Sequence, residues 1–218
     1  MRTRAGQSDV ELFPALENGP DSSREERFWR RSGLVAGADE VGRGCLAGPV
    51  VAAAVILPPW VNLPGVRDSK QIAAERREEL FDQIRDVAVS WAVCFRDARF
   101  VEEHNIVQAS VRAMNIALSR LHPRPVHALI DGNYFHGDIC PFTTIVKGDS
   151  RSISIAAASI LAKVIRDRWM ARIADREFPV YGFARHKGYA TQIHRDALLA
   201  HGPCRLHRST FIGRILNV

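Results

Sequence analysis

Residues 34–44 read Leu34-Val35-Ala36-Gly37-Ala38-Asp39-Glu40-Val41-Gly42-Arg43-Gly44, an apolar segment that ends in two adjacent carboxylates and a Gly-Arg-Gly turn. Carboxylate oxygens are ligands that Mg²⁺ prefers. Glycines let backbone N–H groups approach a ligand closely, and an arginine offers a fixed positive fork for phosphate. The stretch indicates either a metal-dependent site acting on phosphodiesters or an ordinary strand end with a solvated acidic pair.

The pattern on both sides of this stretch is α/β. Short runs of β-branched and small apolar residues predict strands, and longer segments with helical spacing separate them. Early strands followed by alternating helices indicate a layered α/β fold. The predicted strands are 34–38, 50–57, 89–95, 126–130 and 143–146, and the predicted helices are 72–87, 105–121, 153–178, 191–200 and 209–216.

Residues 1–32 differ from the rest of the chain. They mix Gly, Pro, Ser and both signs of charge without a sustained apolar period, which predicts a flexible extension with a short helix near 24–31. The remainder, 33–218, is then one domain that includes the C-terminal helices.

Composition and charge bound the class of protein. The 218 residues are 46% hydrophobic and 25% charged, as in soluble globular proteins. A net charge of +6 favours an anionic partner such as nucleic acid. The four scattered cysteines favour reduced thiols over a disulfide or zinc framework. No apolar run approaches a membrane span and no signal-peptide core is present, so we expect a cytoplasmic monomer without a membrane role.

Two later carboxylates repeat the pattern of the first pair. Asp131 ends an apolar run and is followed by Gly132, and Asp149 precedes the longest predicted helix. Ligands collect outside the carboxyl ends of strands in open α/β sheets, so Asp39 and Asp131 meet if their strands are neighbours. An Asp-Gly turn and a helix cap are the plain alternatives for these two positions.

Basic and aromatic residues supply candidate contacts to nucleic acid. Ser69 and Lys70 precede a predicted helix, a good seat for phosphate. Ser159, Lys163 and Arg166 fall on one helical face, where they could follow a phosphate backbone or form a solvated basic face. Residues 181–189 interleave aromatics with basic residues and glycines, which suits stacking on sugar or base, although a structural glycine-rich loop is as good a reading.

Taken together, these segments resemble ribonuclease HII, the type 2 ribonuclease H family. The matching segments follow the family's order over roughly residues 34–211. They are Val35 to Gly44, Asp68-Ser69-Lys70, Leu129-Ile130-Asp131-Gly132-Asn133, Lys147-Gly148-Asp149-Ser150, Ala157 to Val164, Tyr181-Gly182-Phe183, His186-Lys187-Gly188-Tyr189 and His207-Arg208.

The resemblance implies a ribonuclease H-like fold: a mixed five-stranded sheet flanked by helices, with a helical C-terminal part. It implies an endonuclease that cleaves the RNA strand of RNA–DNA hybrids and incises on the 5′ side of a single ribonucleotide in duplex DNA. Products would carry 5′-phosphate and 3′-hydroxyl ends. Its partners would be these nucleic acids, and no obligate protein partner is evident.

The resemblance also implies roles for individual residues. Asp39, Glu40, Asp131 and Asp149 would be the catalytic carboxylates and would bind Mg²⁺ or Mn²⁺, two ions during catalysis. Four adjacent carboxylates repel one another, and divalent cations relieve that repulsion. The backbone of Gly42, Arg43 and Gly44, with Tyr189, would recognise the ribose 2′-hydroxyl at the RNA–DNA junction, while Ser69, Lys70, Ser159 and Lys163 would contact phosphates.

Two departures and two rival functions accompany this interpretation. Related sequences often carry Pro-Glu where this chain has Ile153-Ser154, and the C-terminus shows no obvious clamp-binding motif. One rival is another nuclease of the same fold superfamily, such as a junction resolvase or a type 1 ribonuclease H. The other is a non-catalytic binding module, which would gain nothing from carboxylates that face phosphate.

Overall fold

The computed structural model describes residues 20–216, which contain one five-stranded sheet in the order β3-β2-β1-β4-β5. β1 pairs antiparallel with β2 and parallel with β4; β3 is antiparallel to β2, and β5 is parallel to β4. The expected mixed sheet is confirmed. The strands are β1 Val35–Val41, β2 Val50–Ile56, β3 Ser90–Arg96, β4 His127–Asp131 and β5 Phe142–Ile145.

Helices cover both faces of the sheet. The helices are α1 Ser23–Trp29, α2 Ala74–Val87, α3 Ala98–Ser119, α4 Ile153–Trp169, α5 Asp175–Glu177, α6 Phe183–His186, α7 Gln192–His201 and α8 Ser209–Leu216. α4 and α2 pack on one face and α3 on the other. Because both faces are covered, every residue of β2 is buried, as its unbroken apolar sequence predicts.

α4 lies unusually close to β1. A Cβ atom at Gly37 would lie 2.1 Å from the carbonyl carbon of Ser154, so only glycine permits this contact. The small residues Ala156, Ala157 and Ala158 are fully buried in the same interface. This close packing brings the middle of α4 next to the carboxylates at the end of β1.

α3 begins seven residues before its predicted start. Asp97 caps the first segment by accepting a bond from the Phe100 N–H, and Asn105 then interrupts the helix with a φ of 64°. The Asn105 side chain accepts bonds from the N–H groups of Val107 and Gln108, as an N-cap does. The predicted start at 105 therefore marks a second helix cap inside a longer, kinked element.

The long helical stretch predicted for 153–178 is present, and it contains a π-helical turn. α4 ends at Trp169, and a π-helical turn, Met170–Ala174, joins it to α5. A helix does lie within the predicted 191–200 region, as α7, and α8 matches the prediction of 209–216. These pieces form a small apolar cluster around Tyr181 and Phe183, beside the main domain core.

The short helix expected near 24–31 is α1, and it packs on the domain. Trp29 is buried in the core on the α4 face. Glu25 is fully buried and accepts bonds from Ser152 Oγ at 2.6 Å and from the Ser154 N–H at 3.0 Å. The packed part of the chain thus starts before the expected boundary at residue 33, whereas residues 1–19 of the expected extension lie outside the described residues. Within residues 20–216, no helix is both long and apolar enough to cross a membrane.

Candidate active site

Asp39 lies near the end of β1, and Asp131 is the last residue of the neighbouring parallel strand β4. The register pairs Ala38 of β1 with Ile130 of β4, so the next residues, Asp39 and Asp131, lie side by side. Asp39 is buried and accepts bonds from the Glu40 N–H at 2.7 Å and from the Ser159 hydroxyl. β1 and β4 are neighbours, so the condition stated from the sequence for these two residues to meet is fulfilled.

Asp149 approaches from the turn between β5 and α4. The Gly148 N–H donates to Asp131 Oδ1 at 2.7 Å, which ties this turn to the end of β4. Lys147 takes a left-handed backbone conformation before the 3-10 turn Gly148–Ser150, and Ser152 caps α4 by accepting from the Ile155 N–H. The helix-cap alternative for Asp149 is therefore wrong, because Ser152 fills that position.

Glu40 points to the other side of β1, beside Arg43. Arg43 Nη1 donates to Glu40 Oε1 at 2.8 Å, while Glu40 Oε2 is buried and has no hydrogen-bond partner within the described chain. A cleft of about 250 Å³ opens at this point, lined by Glu40, Asp131 and Tyr134 among others. An unpartnered buried carboxylate oxygen is costly, and a bound cation would satisfy it.

The surroundings of three carboxylates at the site raise their pKa values. Burial raises the pKa of Asp39 well above its usual range, and the charges of Asp131 and Glu40 raise it further. Burial also raises the pKa of Asp131, partly offset by the Gly148 N–H. The pKa of Asp149 is raised by burial and by the charge of Asp131. A positive charge bound beside these carboxyl groups would lower their pKa values again.

The ammonium group of Lys70 lies beside the carboxylates. Lys70 Nζ lies 3.6 Å from Asp149 Oδ2 and 3.9 Å from Asp68 Oδ1, and 75% of its side chain is exposed. Burial lowers its pKa, but the charges of Asp149 and Asp68 outweigh this and raise it overall. The ammonium group is thus protonated and can reach a bound phosphate.

The two serines predicted as phosphate contacts face inward. Ser69 Oγ and Ser159 Oγ lie 2.9 Å apart, and the residues are only 3% and 4% exposed. Since Ser159 also bonds to Asp39, this hydroxyl pair supports the carboxylate instead of offering free donors to solvent.

The Gly42-Arg43-Gly44 turn is held from beneath by buried arginines. Gly42 has a φ of +92°, and a Cβ there would lie 2.3 Å from Arg166 Nε, whereas a Cβ at Gly44 would meet nothing within 4 Å. Arg208 Nη1 donates to the Arg43 carbonyl at 2.9 Å. One side of the turn is therefore packed and the other is open.

Arg166 does not lie on a phosphate-tracking face. It is fully buried and donates to the carbonyls of Ala47, Pro49 and Lys187 at 2.9–3.1 Å. The prediction that it follows a nucleic acid backbone is wrong, because residues 47–49 and 187 fold over this part of α4. Lys163, on the same face, donates to Asp167 at 2.9 Å.

Tyr189 lies at the edge of this group, with 37% of its surface exposed. Lys163 Nζ is 5.1 Å and Arg166 Cζ 5.8 Å from its ring centroid, distances typical of cation–π contacts. The Leu46 N–H donates to the Gly188 carbonyl at 2.9 Å, which joins the Tyr189 loop to the loop that follows Gly44. Residues far apart in sequence thus form one surface beside the carboxylates.

Sequence reasoning missed the roles of Arg208 and of three buried histidines, His186, His194 and His207. His207-Arg208 carries part of the family resemblance, but nothing in that dipeptide shows that both side chains point inward. Only the folded chain shows which backbone carbonyls they reach.

The described residues do not present a preformed metal cage. Among residues 20–216, no three or more His, Cys, Asp or Glu side chains already surround a point that an ion could occupy. Two of the carboxylates are instead engaged in ion pairs, Glu40 with Arg43 and Asp149 with Lys70.

Solved structures of other proteins share this fold. The structure is similar to ribonuclease H2 from Pyrococcus horikoshii OT3, with a TM-score of 0.70 at 24% identity over 84% of this chain and 97% of that one. It is also similar to ribonuclease HII from Archaeoglobus fulgidus, solved in complex with PCNA: TM-score 0.69, 28% identity, 80% of this chain and 93% of that one. Bst-RNase HIII in complex with Mn²⁺ aligns with a TM-score of 0.53 at 22% identity, over 78% of this chain and 61% of that one.

A mixed five-stranded sheet with these neighbours defines a nuclease of the ribonuclease H-like class. The ribonuclease HII family profile matches residues 36–214, and the curated ribonuclease HII of Syntrophotalea carbinolica is 49% identical over 94% of this chain and 97% of its own length. The chain belongs to the ribonuclease HII family. It is a hydrolase, an endoribonuclease of the ribonuclease H type that acts on RNA–DNA hybrids.

Proposed function

We propose that this enzyme also incises duplex DNA on the 5′ side of a single ribonucleotide, with divalent cations held by Asp39, Glu40, Asp131 and Asp149. The products would be a 3′-hydroxyl end and a 5′-phosphate end. The pairing of Asp39 with Asp131 on neighbouring strands, with Glu40 next in β1 and Asp149 in the turn tied to Asp131, carries the proposal. All of the proposed site comes from one chain, so a monomer suffices.

The donor set suits Mg²⁺ or Mn²⁺. Every candidate ligand is a carboxylate oxygen, the donor that both ions accept. Glu40 Oε2 is a buried oxygen without a partner in the described chain, and Asp39, Asp131 and Asp149 have raised pKa values. When bound, such ions neutralise the carboxylates, generate a nucleophilic water and stabilise the leaving oxygen.

The chain's own cations would position the scissile phosphate. Lys70 and Arg43 are each paired with a different one of the carboxylates, and the side chain of each is at least half exposed. A phosphate that enters between them exchanges a carboxylate partner for a phosphate partner, which frees Asp149 and Glu40 for cations. Charge-assisted bonds of this kind are about twice as strong as neutral ones.

The backbone of the Gly42-Arg43-Gly44 turn and the ring of Tyr189 recognise the two sugars at the RNA–DNA junction. The open side of Gly44 lets a ribose approach the backbone, and only a ribose carries the 2′-hydroxyl that the backbone can bond. The exposed ring of Tyr189 then stacks on the next sugar, where a deoxyribose fits. Recognition of one ribonucleotide followed by DNA needs both contacts.

A substrate panel tests this function. The enzyme is given a duplex with one ribonucleotide, a long RNA–DNA hybrid and an all-DNA duplex, each with Mg²⁺, Mn²⁺ or chelator. We expect incision of the first two with either ion and none of the third. Activity on the hybrid without incision at the single ribonucleotide would refute the junction role and leave the general ribonuclease H activity standing.

A further inference from the structure

The backbone around Tyr189 has an unusual conformation that must be held in place. Lys187 and Gly188 both have left-handed φ values, 52° and 84°, and this costs energy for the non-glycine residue. A Cβ at Gly188 would lie 2.3 Å from the Ala47 carbonyl oxygen, so the loop presses on its neighbour. The direction of the Tyr189 ring depends on what fixes this loop.

A chain of hydrogen bonds through two buried histidines ends at the Tyr189 carbonyl. The Cys204 N–H donates to His207 Nδ1 at 3.0 Å. His207 Nε2 and His194 Nε2 lie 3.1 Å apart, and His194 Nδ1 lies 2.9 Å from the Tyr189 carbonyl oxygen. His194 is fully buried, and His207 is 5% exposed.

The direction of this relay follows from its first donor. Because a backbone N–H can only donate, His207 Nδ1 accepts, and the neutral ring carries its proton on Nε2. His207 then donates to His194 Nε2, so the proton of His194 is on Nδ1 and points at the Tyr189 carbonyl. Burial lowers the pKa of both rings to about 4, which keeps them neutral near pH 7.

The other wall of the loop is fixed in a similar way. His186 Nδ1 accepts from the Gly188 N–H at 3.2 Å, and its ring stacks on His194 with centroids 4.2 Å apart. His186 Nε2 then carries the proton and donates to the Tyr181 carbonyl at 2.8 Å. Three buried rings thus hold residues 186–189 through hydrogen bonds to the backbone and through stacking.

We propose that His194, oriented by His207, is a positioning residue that sets Tyr189 for recognition of the RNA–DNA junction. It does not touch the substrate and acts only through the Tyr189 backbone. The inference rests on the proposed role of Tyr189. It assigns the selectivity for a single ribonucleotide partly to residues in the small C-terminal cluster.

The test compares two substrates in each variant. The measured quantity is the ratio of kcat/KM on a duplex with one ribonucleotide to kcat/KM on a long RNA–DNA hybrid. His194→Phe keeps a ring but removes the bond to Tyr189, and we expect the ratio to fall roughly 10- to 100-fold, as misplacement of a contact by about 1 Å can cause. His194→Asn keeps an N–H donor near the Nδ1 position and should restore most of the ratio.

Control variants separate positioning from stability. Tyr181→Phe removes a bond to the Gly202 carbonyl within the same cluster, outside the relay, and should lower thermal stability while the ratio stays unchanged. His207→Asn keeps the acceptor for Cys204 but loses the donor to His194, so it tests the relay if His194→Phe does not fold. In a Tyr189→Ala background, His194→Phe should not lower the ratio further.

Two outcomes would overturn the inference in different ways. If Tyr189→Ala lowers the ratio but His194→Phe and His207→Asn do not, the relay does not position Tyr189. If Tyr189→Ala leaves the ratio unchanged, the proposed junction role itself fails, and the inference fails with it.

Discussion

Burial and the adjacent charge of Asp131 together raise the pKa of Asp39 well above its ordinary range. Each residue directly follows the last paired position of the parallel strands β1 and β4, so the geometry of the sheet brings the two carboxylates together. A protein that served only to bind nucleic acid would gain nothing from this costly pairing. It is expected where stability is given up for a cation site.

Replacement of Asp131 should separate binding from cleavage. Asp131→Asn keeps an oxygen that can accept the Gly148 N–H but removes a charged metal ligand. We expect hybrid cleavage to fall by more than about 10³-fold, beyond the loss of a single stabilising donor, while hybrid affinity changes little. Single-turnover cleavage and filter binding measure the two effects, and near-normal turnover would remove Asp131 from the metal site.

Charge repulsion between Asp39 and Asp131 predicts that a variant with a neutral side chain at position 39 is more stable than the wild type at neutral pH. Because the folded-state pKa of Asp39 lies above its ordinary value of 3.8, its ionisation destabilises the folded protein as the pH rises through the folded pKa. Metal-free Asp39→Asn should therefore melt above the wild type at pH 7.5, by about 3–6 °C for a change of 1–2 kcal/mol in a chain of this size. The gap should close towards pH 4.

Calorimetry over pH 4–8 in chelator checks this, and the comparison between variants cancels the opposite contribution of the buried histidines. Their folded-state pKa values of about 4 lie below the ordinary 6.5, so they favour the folded protein less as the pH falls. Mg²⁺ or Mn²⁺ should raise the melting temperature of the wild type more than that of the variant. Equal stability of the two proteins at pH 7.5 would contradict the repulsion.

Substitution by alanine should have different effects at the two glycines of the Gly42-Arg43-Gly44 turn. Gly42→Ala places a Cβ 2.3 Å from Arg166 Nε in a left-handed conformation, so we expect it to destabilise the fold by about 1–3 kcal/mol. Gly44→Ala meets nothing within 4 Å and should leave the melting temperature unchanged, yet raise KM by blocking the open side of the turn. Thermal melts and steady-state kinetics of both variants check this; unchanged kinetics for Gly44→Ala would place the ribose elsewhere.

Much of this site was predictable from local sequence. The apolar runs before Asp39 and Asp131 placed both residues on strands, and the fold then shows that these strands are neighbours. The small residues 156–158, which permit the close packing of α4 on β1, are also a local feature of the sequence. These signals are local, since each depends on residues only a few positions apart.

The remaining features depend on contacts between distant segments. Lys163 and Arg166 share a helical face, but Arg166 donates to the carbonyls of Ala47 and Pro49, whereas Lys163 pairs with Asp167. The bond between His194 and His207 has no signature in spacing, and neither does the docking of α1 on α4. Periodicity shows which face of a helix is apolar, but it does not show what will cover a polar one.

The docking of α1 yields a stability prediction. Glu25→Ala leaves the buried Ser154 N–H without its acceptor, and we expect a loss of about 1–3 kcal/mol in the free energy of unfolding. Glu26→Ala, one position along, removes an ion pair with Arg30, whose side chain is 69% exposed, and should cost less than about 1 kcal/mol. Chemical denaturation of both variants measures the difference. A loss of stability in Glu25→Ala no larger than that in Glu26→Ala would show that the buried bonds of Glu25 add little to the stability of the domain.

Incision of a DNA duplex that contains one ribonucleotide is the decisive experiment for the proposed function. With Mg²⁺ or Mn²⁺, we expect a single cut on the 5′ side of the ribonucleotide, leaving a 3′-hydroxyl and a 5′-phosphate, and no cut in chelator or with Asp131→Asn. A cut on the 3′ side, or undiminished cutting in chelator, would refute the proposed metal-dependent incision.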